Sequence, residues 1–389
     1  MKVLHLGDLH IGKSVCDFSM IEDQKYMLEQ ILEMIPKYQI DMVLIAGDVY
    51  DKAIPSEEAV RLLDYFLCRL AKMEIETFII SGNHDSDERL NFGSSLFENN
   101  KIHICAKYNG SIYKKECQDE FGKINVYLLP FVKASQVKDF YPDESIGSYD
   151  AAVRTVLAHT EIDVSERNIL VAHQFVAGKS QEPELAGSEG VSVLNVGTIE
   201  KIGADCFDDF DYVALGHIHS PQKIGRETVR YSGSLLKYSL SEVNNEKSVP
   251  VVTFGKKGEV KVELIKPKHL RDMRHLKGKL EQLLAQENIK SEDDYIYATL
   301  TDEEPVPDIM GIFQQYYKNT MKIIYDNAHT KEVEQADLTK LVQEKSFPKL
   351  ISDFYQMMYG CEMSDEEMDI MLKVAGEAGV INETNKTYH

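Results

Sequence analysis

Residues 1–10 read MKVLHLGDLH, an apolar run of strand length that stops at Gly7 and then presents Asp8 and His10 two residues apart. Side chains two apart on an extended segment share a side, so the pair can address one point in space. The same arrangement recurs at MVLIAGD (42–48), TFIISGNHD (77–85), ILVAH (169–173) and YVALGHIH (212–219). Strands are predicted over 3–6, 42–46, 77–80, 102–105, 124–129, 169–172 and 212–215. Between them, Met27, Leu28, Ile31, Leu32 and Ile35 recur at helical spacing, as do Val60, Leu63, Phe66, Leu67 and Leu70. The alternation specifies an α/β layer architecture, in which ligands bind at the carboxyl ends of strands. Five polar clusters are thereby delivered to one edge.

Carboxylates, an amide oxygen and imidazoles are the donor set of Mn, Fe or Zn, and no cysteine falls among them. One Asp-x-His, or one His after a strand, is more often structural. Five such clusters together reverse that reading, because a buried polar set this dense is costly without an ion to satisfy it. Gly7, Gly47, Gly82 and Gly216 precede the clusters and permit close approach of backbone. His5, His103 and His159 match no cluster and read as structural or surface histidines.

The 389 residues are 43% hydrophobic and 28% charged, the composition of a globular protein of two or three domains rather than a disordered chain. No apolar run is long enough to cross a membrane, and MKVLHLGDLH lacks the unbroken apolar core of a signal peptide, so a cytoplasmic protein is expected. Six scattered cysteines form no CxxC pair and read as buried thiols. The net charge of -21 disfavours non-specific nucleic-acid binding, yet residues 261–290 hold eight Lys or Arg against four Asp or Glu.

The wide apolar arc of 60–70, to which Leu62 adds, points to a second contact besides its own sheet. Strands are expected at 251–254 and 260–265 around the hairpin loop GKKG, and residues 266–290 read as basic and helical. A short strand at 295–300 precedes the turn TDEEPVPD. Two amphipathic helices follow residue 335. The first carries Phe347, Leu350, Ile351, Phe354 and Met358. The second opens with a Ser364–Glu367 capping box and carries Met368 and Met371. Such stripes call for a partner surface. The chain divides as 1–265, a small α+β domain at 266–334, a helical segment at 335–378 and a disordered tail at 379–389.

The order DLH, GD, GNHD, H, GHxH resembles the calcineurin-like metallophosphoesterase superfamily over residues 1–255. HLGDLHIGK, AGDVYDKAIPS, ISGNHDS, GHIHSPQ, YSGSLLKYS and KPKHLRDMRHLKG are similar to its SbcD family of nuclease subunits. The resemblance implies a sandwich of two sheets flanked by helices, with a small α+β capping domain and C-terminal helices. It assigns Asp8, His10, Asp48 and His219 to one divalent ion and Asp48, Asn83, His173 and His217 to another, Mn²⁺ before Mg²⁺, with Asp48 bridging. His84 takes the catalytic place. Relatives carry a further histidine where this chain has Asp51, so that role does not transfer. Asp51 and Asp85 are supporting candidates. The resemblance further implies DNA as substrate, cleaved from duplex ends and within single strands or hairpins, in repair, recombination and replication. It implies a homodimer joined to the ATPase SbcC as a heterotetramer, with Phe347 to Met371 gripping SbcC and the basic strip facing DNA. The alternatives are a small-nucleotide phosphodiesterase and a non-catalytic tethering subunit.

Overall fold

A computed structural model describes residues 1–178, 182–185, 201–327, 348–349, 351–352, 355 and 363–377. Two six-stranded sheets dominate it. In chain order their strands are β1 (Lys2–Leu6), β2 (Met42–Ala46), β3 (Glu76–Ile80), β4 (Ile102–Cys105), β5 (Tyr113–Asp119), β6 (Gly122–Leu129), β7 (Arg167–His173), β8 (Tyr212–Gly216), β9 (Gln222–Ile224), β10 (Arg226–Tyr231), β11 (Val249–Phe254) and β12 (Val260–Ile265). The first sheet runs β12-β11-β1-β2-β3-β4 and the second β9-β10-β8-β7-β6-β5.

The inner strands are continuous apolar runs because both of their faces are covered. Val3, Leu44 and Phe78 meet Val126, Val171 and Ala214 between the sheets. The outer face of the first sheet packs on α1 (Ile21–Tyr38) and α2 (Glu57–Lys72), that of the second on α3 (Tyr149–Ala158). Strands β1 to β4 are parallel, with Leu6 level with Ile45 and Ala46 with Ile80. In the second sheet Leu129 is level with Ala172 and His173 with Gly216. Strands in such register end together, so their exit loops share an edge.

Each strand predicted from the sequence is present. β5 was hidden because YKKECQD alternates with charged residues and buries little. Two readings are corrected. Residues 266–290 are not helical: β13 (Met273–Gly278) occupies them, followed by a single turn at Leu280–Leu283, and the alternating exposure along β13 is the period of a strand. Four of the strip's eight cations, Lys266, Arg271, Arg274 and Lys277, pair with carboxylates. The thiols are not all buried, since Cys16 and Cys68 are exposed.

Ser56 Oγ accepts the Ala59 N–H at 3.2 Å to start α2, and Glu57, Glu58, Arg69 and Lys72 complement its dipole. Its apolar arc is consumed within the chain: Leu62, Leu63, Phe66, Leu67 and Leu70 are buried and only Val60 is exposed. The face expected to be left for a second contact is therefore mostly spent on the core.

The chain forms two compact units, one of Met1–Leu276, Leu284–Ala298 and Asp308–Ile323, the other of Lys277–Leu283, Thr299–Pro307 and the described residues from Ile324 onward. Within the second, Lys277 Nζ pairs with Asp326 at 2.6 Å and the Leu280 N–H donates to Asp302 Oδ2 at 2.9 Å. The capping box opens α4 (Asp365–Glu377), where the Ser364 N–H donates to Glu367 Oε2 at 2.9 Å and the Glu367 N–H to Ser364 Oγ at 3.3 Å. Met371 is exposed on α4. Phe347, Leu350, Phe354, Met358 and residues 379–389 lie outside the described residues. Among those described, no helix is long and apolar enough to cross a membrane.

Candidate metal centre

The loops that leave β1 and β2 are laced together. Asp8 N–H donates to Gly47 O at 3.1 Å, His10 N–H to Asp48 O at 2.9 Å and Ile11 N–H to Val49 O at 2.9 Å. To turn their side chains inward, Asp8, His10, Asp48 and His217 adopt left-handed φ values of 51°, 43°, 46° and 105°. Such backbone costs energy away from glycine and persists where its surroundings over-determine it. The two sheets are stitched at the same place: the His217 N–H donates to Asp8 Oδ1 at 2.8 Å, and His173 Nδ1 donates to Ala46 O at 2.8 Å. The second bond fixes the tautomer and leaves His173 Nε2 facing the centre.

Three overlapping groups result, Asp8–His10–His219, His10–Asp48–His84 and Asp8–Asp48–His173, each with ligand atoms within 4.8 Å of one another. His10 Nε2 lies 3.0 Å from His219 Nε2 and 3.5 Å from Asp48 Oδ2. His173 Nε2 lies 3.5 Å from Asp48 Oδ2 and 3.1 Å from Asn83 Oδ1, which is 2.9 Å from His217 Nδ1. Asp8, His10, Asp48, His173, His217 and His219 are all buried, whereas Asn83 is exposed and His84 half-buried at the rim.

Two observations fit this set to divalent cations. Asp8 Oδ2 is buried without a hydrogen-bond partner among the described residues, which is costly for a carboxylate oxygen. Second, two of the imidazoles are held in the neutral form, which is the form that ligates a metal. Burial pushes the His10 imidazole down to about 4 and the His217 imidazole down to about 3, so both are neutral donors. Burial opposes charge on His173 too, but the Asp48 and Asp8 carboxylates outweigh it and raise this imidazole to about 9.

A family model for calcineurin-like phosphoesterases matches residues 1–221, and another, described as the type 5 capsule protein repressor C-terminal domain, matches residues 269–359. The SbcD subunit of the nuclease SbcCD from Staphylococcus epidermidis is 31% identical over 376 residues, covering 95% of this chain and 96% of that one. The chain belongs to the SbcD family of calcineurin-like phosphoesterases. Among solved structures, TT1561 of Thermus thermophilus is similar at 11% identity and a TM-score of 0.39, over 68% of this chain and 99% of that one. A dimetal phosphatase from Danio rerio is similar at 12% identity and a TM-score of 0.39, over 69% and 98%.

As a member of the SbcD family the chain is a metal-dependent phosphoesterase, and its supporting residues can be located. Asp85 accepts the N–H groups of Val49, Tyr50 and Gly82 at 3.0, 2.8 and 2.9 Å, tying the β2 and β3 loops together. Burial, reinforced by Asp48, lifts its carboxyl to about 7. Asp51 Oδ1 stands 3.5 Å from His10 Nδ1 and is held by Lys13 Nζ at 2.7 Å. Burial opposes its charge, but His10 and Lys13 prevail and keep that carboxyl well below the usual range. Asp51 thus places a carboxylate beside the Nδ1 edge of the His10 ring.

Sequence reasoning missed a polar girdle around the histidines. Gln24 Nε2 donates to His10 O at 2.7 Å while its Oε1 accepts the Gly12 N–H at 2.9 Å. Tyr238 OH donates to Leu9 O at 2.5 Å. The fully buried Glu242 lies 3.5 Å from His219 Nδ1 and pairs with Lys247, whose Nζ also donates to His219 O at 2.9 Å. Tyr238 belongs to the quoted YSGSLLKYS; Gln24, Glu242 and Lys247 carry no local signature.

Proposed function

We propose that this chain is the nuclease subunit of an SbcCD-type complex, hydrolysing DNA phosphodiesters at duplex ends and within single strands or hairpins. The convergence of side chains from five strand ends of two sheets on one cluster, with His84 at its rim, carries the reading. Asp8, His10, Asp48 and His219 would hold one ion and Asp48, Asn83, His173 and His217 the other, Mn²⁺ before Mg²⁺. When bound, the ions supply positive charge against the phosphate oxygens and a more acidic water.

The chain's own groups do the rest. His84 Nδ1 donates to Asp51 O at 3.0 Å, so Nε2 is the ring atom left to deliver a proton to the departing oxygen. The His84 backbone N–H donates to Asp48 Oδ1 at 2.9 Å, which holds the Asp48 carboxylate and the acid in fixed relation. Gln24 holds the His10 backbone, and the Asp51 and Glu242 carboxylates stand 3.5 Å behind the His10 and His219 rings.

A homodimer is supported by the largely exposed Ile54, Phe92 and Leu96 rather than by the spent arc of α2. Exposed Ile370, Met371 and Val374 on α4 support docking of an SbcC-type ATPase, with Ile351 and Met368 in the same segment. With half of the basic strip paired to carboxylates, DNA is drawn chiefly by the ion-loaded edge. The test is incubation of the purified protein with labelled duplex, hairpin and single-stranded DNA under Mn²⁺, Mg²⁺ or chelator. Cleavage that needs the ion and responds to DNA length is expected. Activity on small diesters alone would assign the chain to nucleotide turnover instead.

A further inference from the structure

Two phenylalanines stand beside the cluster and contribute no ligand atom. Phe131 follows β6, and its N–H donates to Ser81 O at 3.1 Å, which fixes it to the turn that carries Asn83 and His84. Its ring centre lies 6.5 Å from that of His217, nearly parallel at 23°, and 6.3 Å from His173, edge-on at 82°. Phe175, two residues past His173, meets the His217 ring at 6.4 Å and 90°. Both phenylalanines are only half-buried, although the histidines they flank are buried.

The opposite flank is built differently. There the ring facing His10 at 5.6 Å belongs to Tyr238, which is buried and spends its hydroxyl on Leu9 O. Among the described residues, an aromatic wall at the water-exposed rim therefore lies on the His173–His217 side.

We propose that Phe131 and Phe175 form a stacking platform for the nucleobase next to the phosphodiester held at the cluster, a reading that rests on the nuclease function proposed above. A phenyl ring offers a metal ion no ligand atom and a phosphate no hydrogen bond, and a flat apolar surface arriving with the substrate would cover its exposed area favourably. A nucleobase is that surface. Stacking tolerates every base, since each has a π-face, and it selects an unpaired base over one held in a duplex. The platform thus favours single strands, hairpin loops and frayed ends without reading sequence.

The test uses the full-length protein with Mn²⁺ and two short single strands. Each has one hydrolysable diester among methylphosphonates, and one carries a normal base beside it where the other is abasic. Phe131→Leu keeps apolar bulk and removes the π-face; it should raise KM for the base-bearing strand about fivefold to a hundredfold, the range of one base stack. The abasic strand should be cleaved alike by both proteins, Mn²⁺ affinity should be unchanged, and Phe131→Tyr should restore the low KM. Phe175→Leu should act in the same direction. An unchanged KM in both leucine variants, an equal loss on both strands, or weakened Mn²⁺ binding overturns the platform, the last two by making these rings a mere shell around the ligands. Failure of the unaltered protein to cleave either strand overturns the nuclease reading itself, and the platform with it.

Discussion

A Cβ on Gly216 would sit 1.8 Å from Ala46 O and 2.8 Å from His173 Nδ1. No side chain moves that backbone oxygen aside, so the seam that joins the sheets at the cluster admits only glycine here. Gly216→Ala should therefore cost far more at the centre than an ordinary surface glycine change: Mn²⁺ affinity should fall at least about tenfold and the melting temperature should drop with it. Calorimetric titration beside a melting curve checks both. His84 calls for the reverse result, since the proposed assignment makes it the proton donor rather than a ligand, although its ring stands beside His10 and Asp48. His84→Gln should keep metal binding and slow cleavage about 10²- to 10⁴-fold, the usual contribution of a positioned proton donor. Single-turnover kinetics at saturating Mn²⁺ separate the two effects. At this scale Asp8, His10, Asp48, Asn83, His84, His173, His217 and His219 were legible because each follows an apolar run by a few residues. Gln24 and Glu242 were not, because only folding sets Gln24 against the His10 backbone and Glu242 against the His219 ring, and neither follows a strand.

Among the elements, β1 carries a titratable group into the layer between the sheets. His5 Nδ1 meets the Tyr212 hydroxyl at 3.0 Å across that layer. Burial, reinforced by the Arg230 guanidinium, pushes this imidazole from 6.5 down to about 3. The folded chain therefore binds fewer protons than the unfolded one between those values. Stability from His5 is complete above about pH 6.5 and is lost as pH falls toward 3, by up to a few kcal/mol. His5→Leu should flatten the dependence of unfolding free energy on pH across that window in chelator, measured by urea denaturation. A slope equal to that of the unaltered protein would remove His5 from the account. The strands of the sandwich were legible through their continuous apolar runs. β5 and β13 were not, since their exposed alternate residues are polar or charged and the spacing of Leu276, Leu280 and Leu283 imitates a helix. In α2 the arc was read correctly as wider than its sheet contact, but α1 as its further neighbour was not legible, because periodicity gives the width of a buried face and not what covers it.

For the whole molecule, every proposed ligand lies between residues 8 and 219, in the unit that also holds both sheets. Truncation after residue 335 should leave Mn²⁺-dependent cleavage by the isolated chain largely intact while abolishing its capture by an SbcC-type ATPase and the response to ATP. Pull-down and nuclease assays on one preparation test the two halves of that statement. Copurification of the truncated chain with the ATPase would remove the docking role from the C-terminal helices; loss of basal cleavage would place them in the catalytic fold. The net charge of -21 gives a related expectation. Ions bound at the cluster would reverse the local field that phosphates meet, so DNA binding should rise with Mn²⁺ occupancy and fall with added salt. The central claim is a pair of ions bridged by one carboxylate, and electron paramagnetic resonance of the Mn²⁺-titrated protein tests it most directly. The account predicts two Mn²⁺ per chain with an exchange-coupled spectrum that Asp48→Ala abolishes. A single ion, two uncoupled ions, or a coupled pair that survives Asp48→Ala would contradict it.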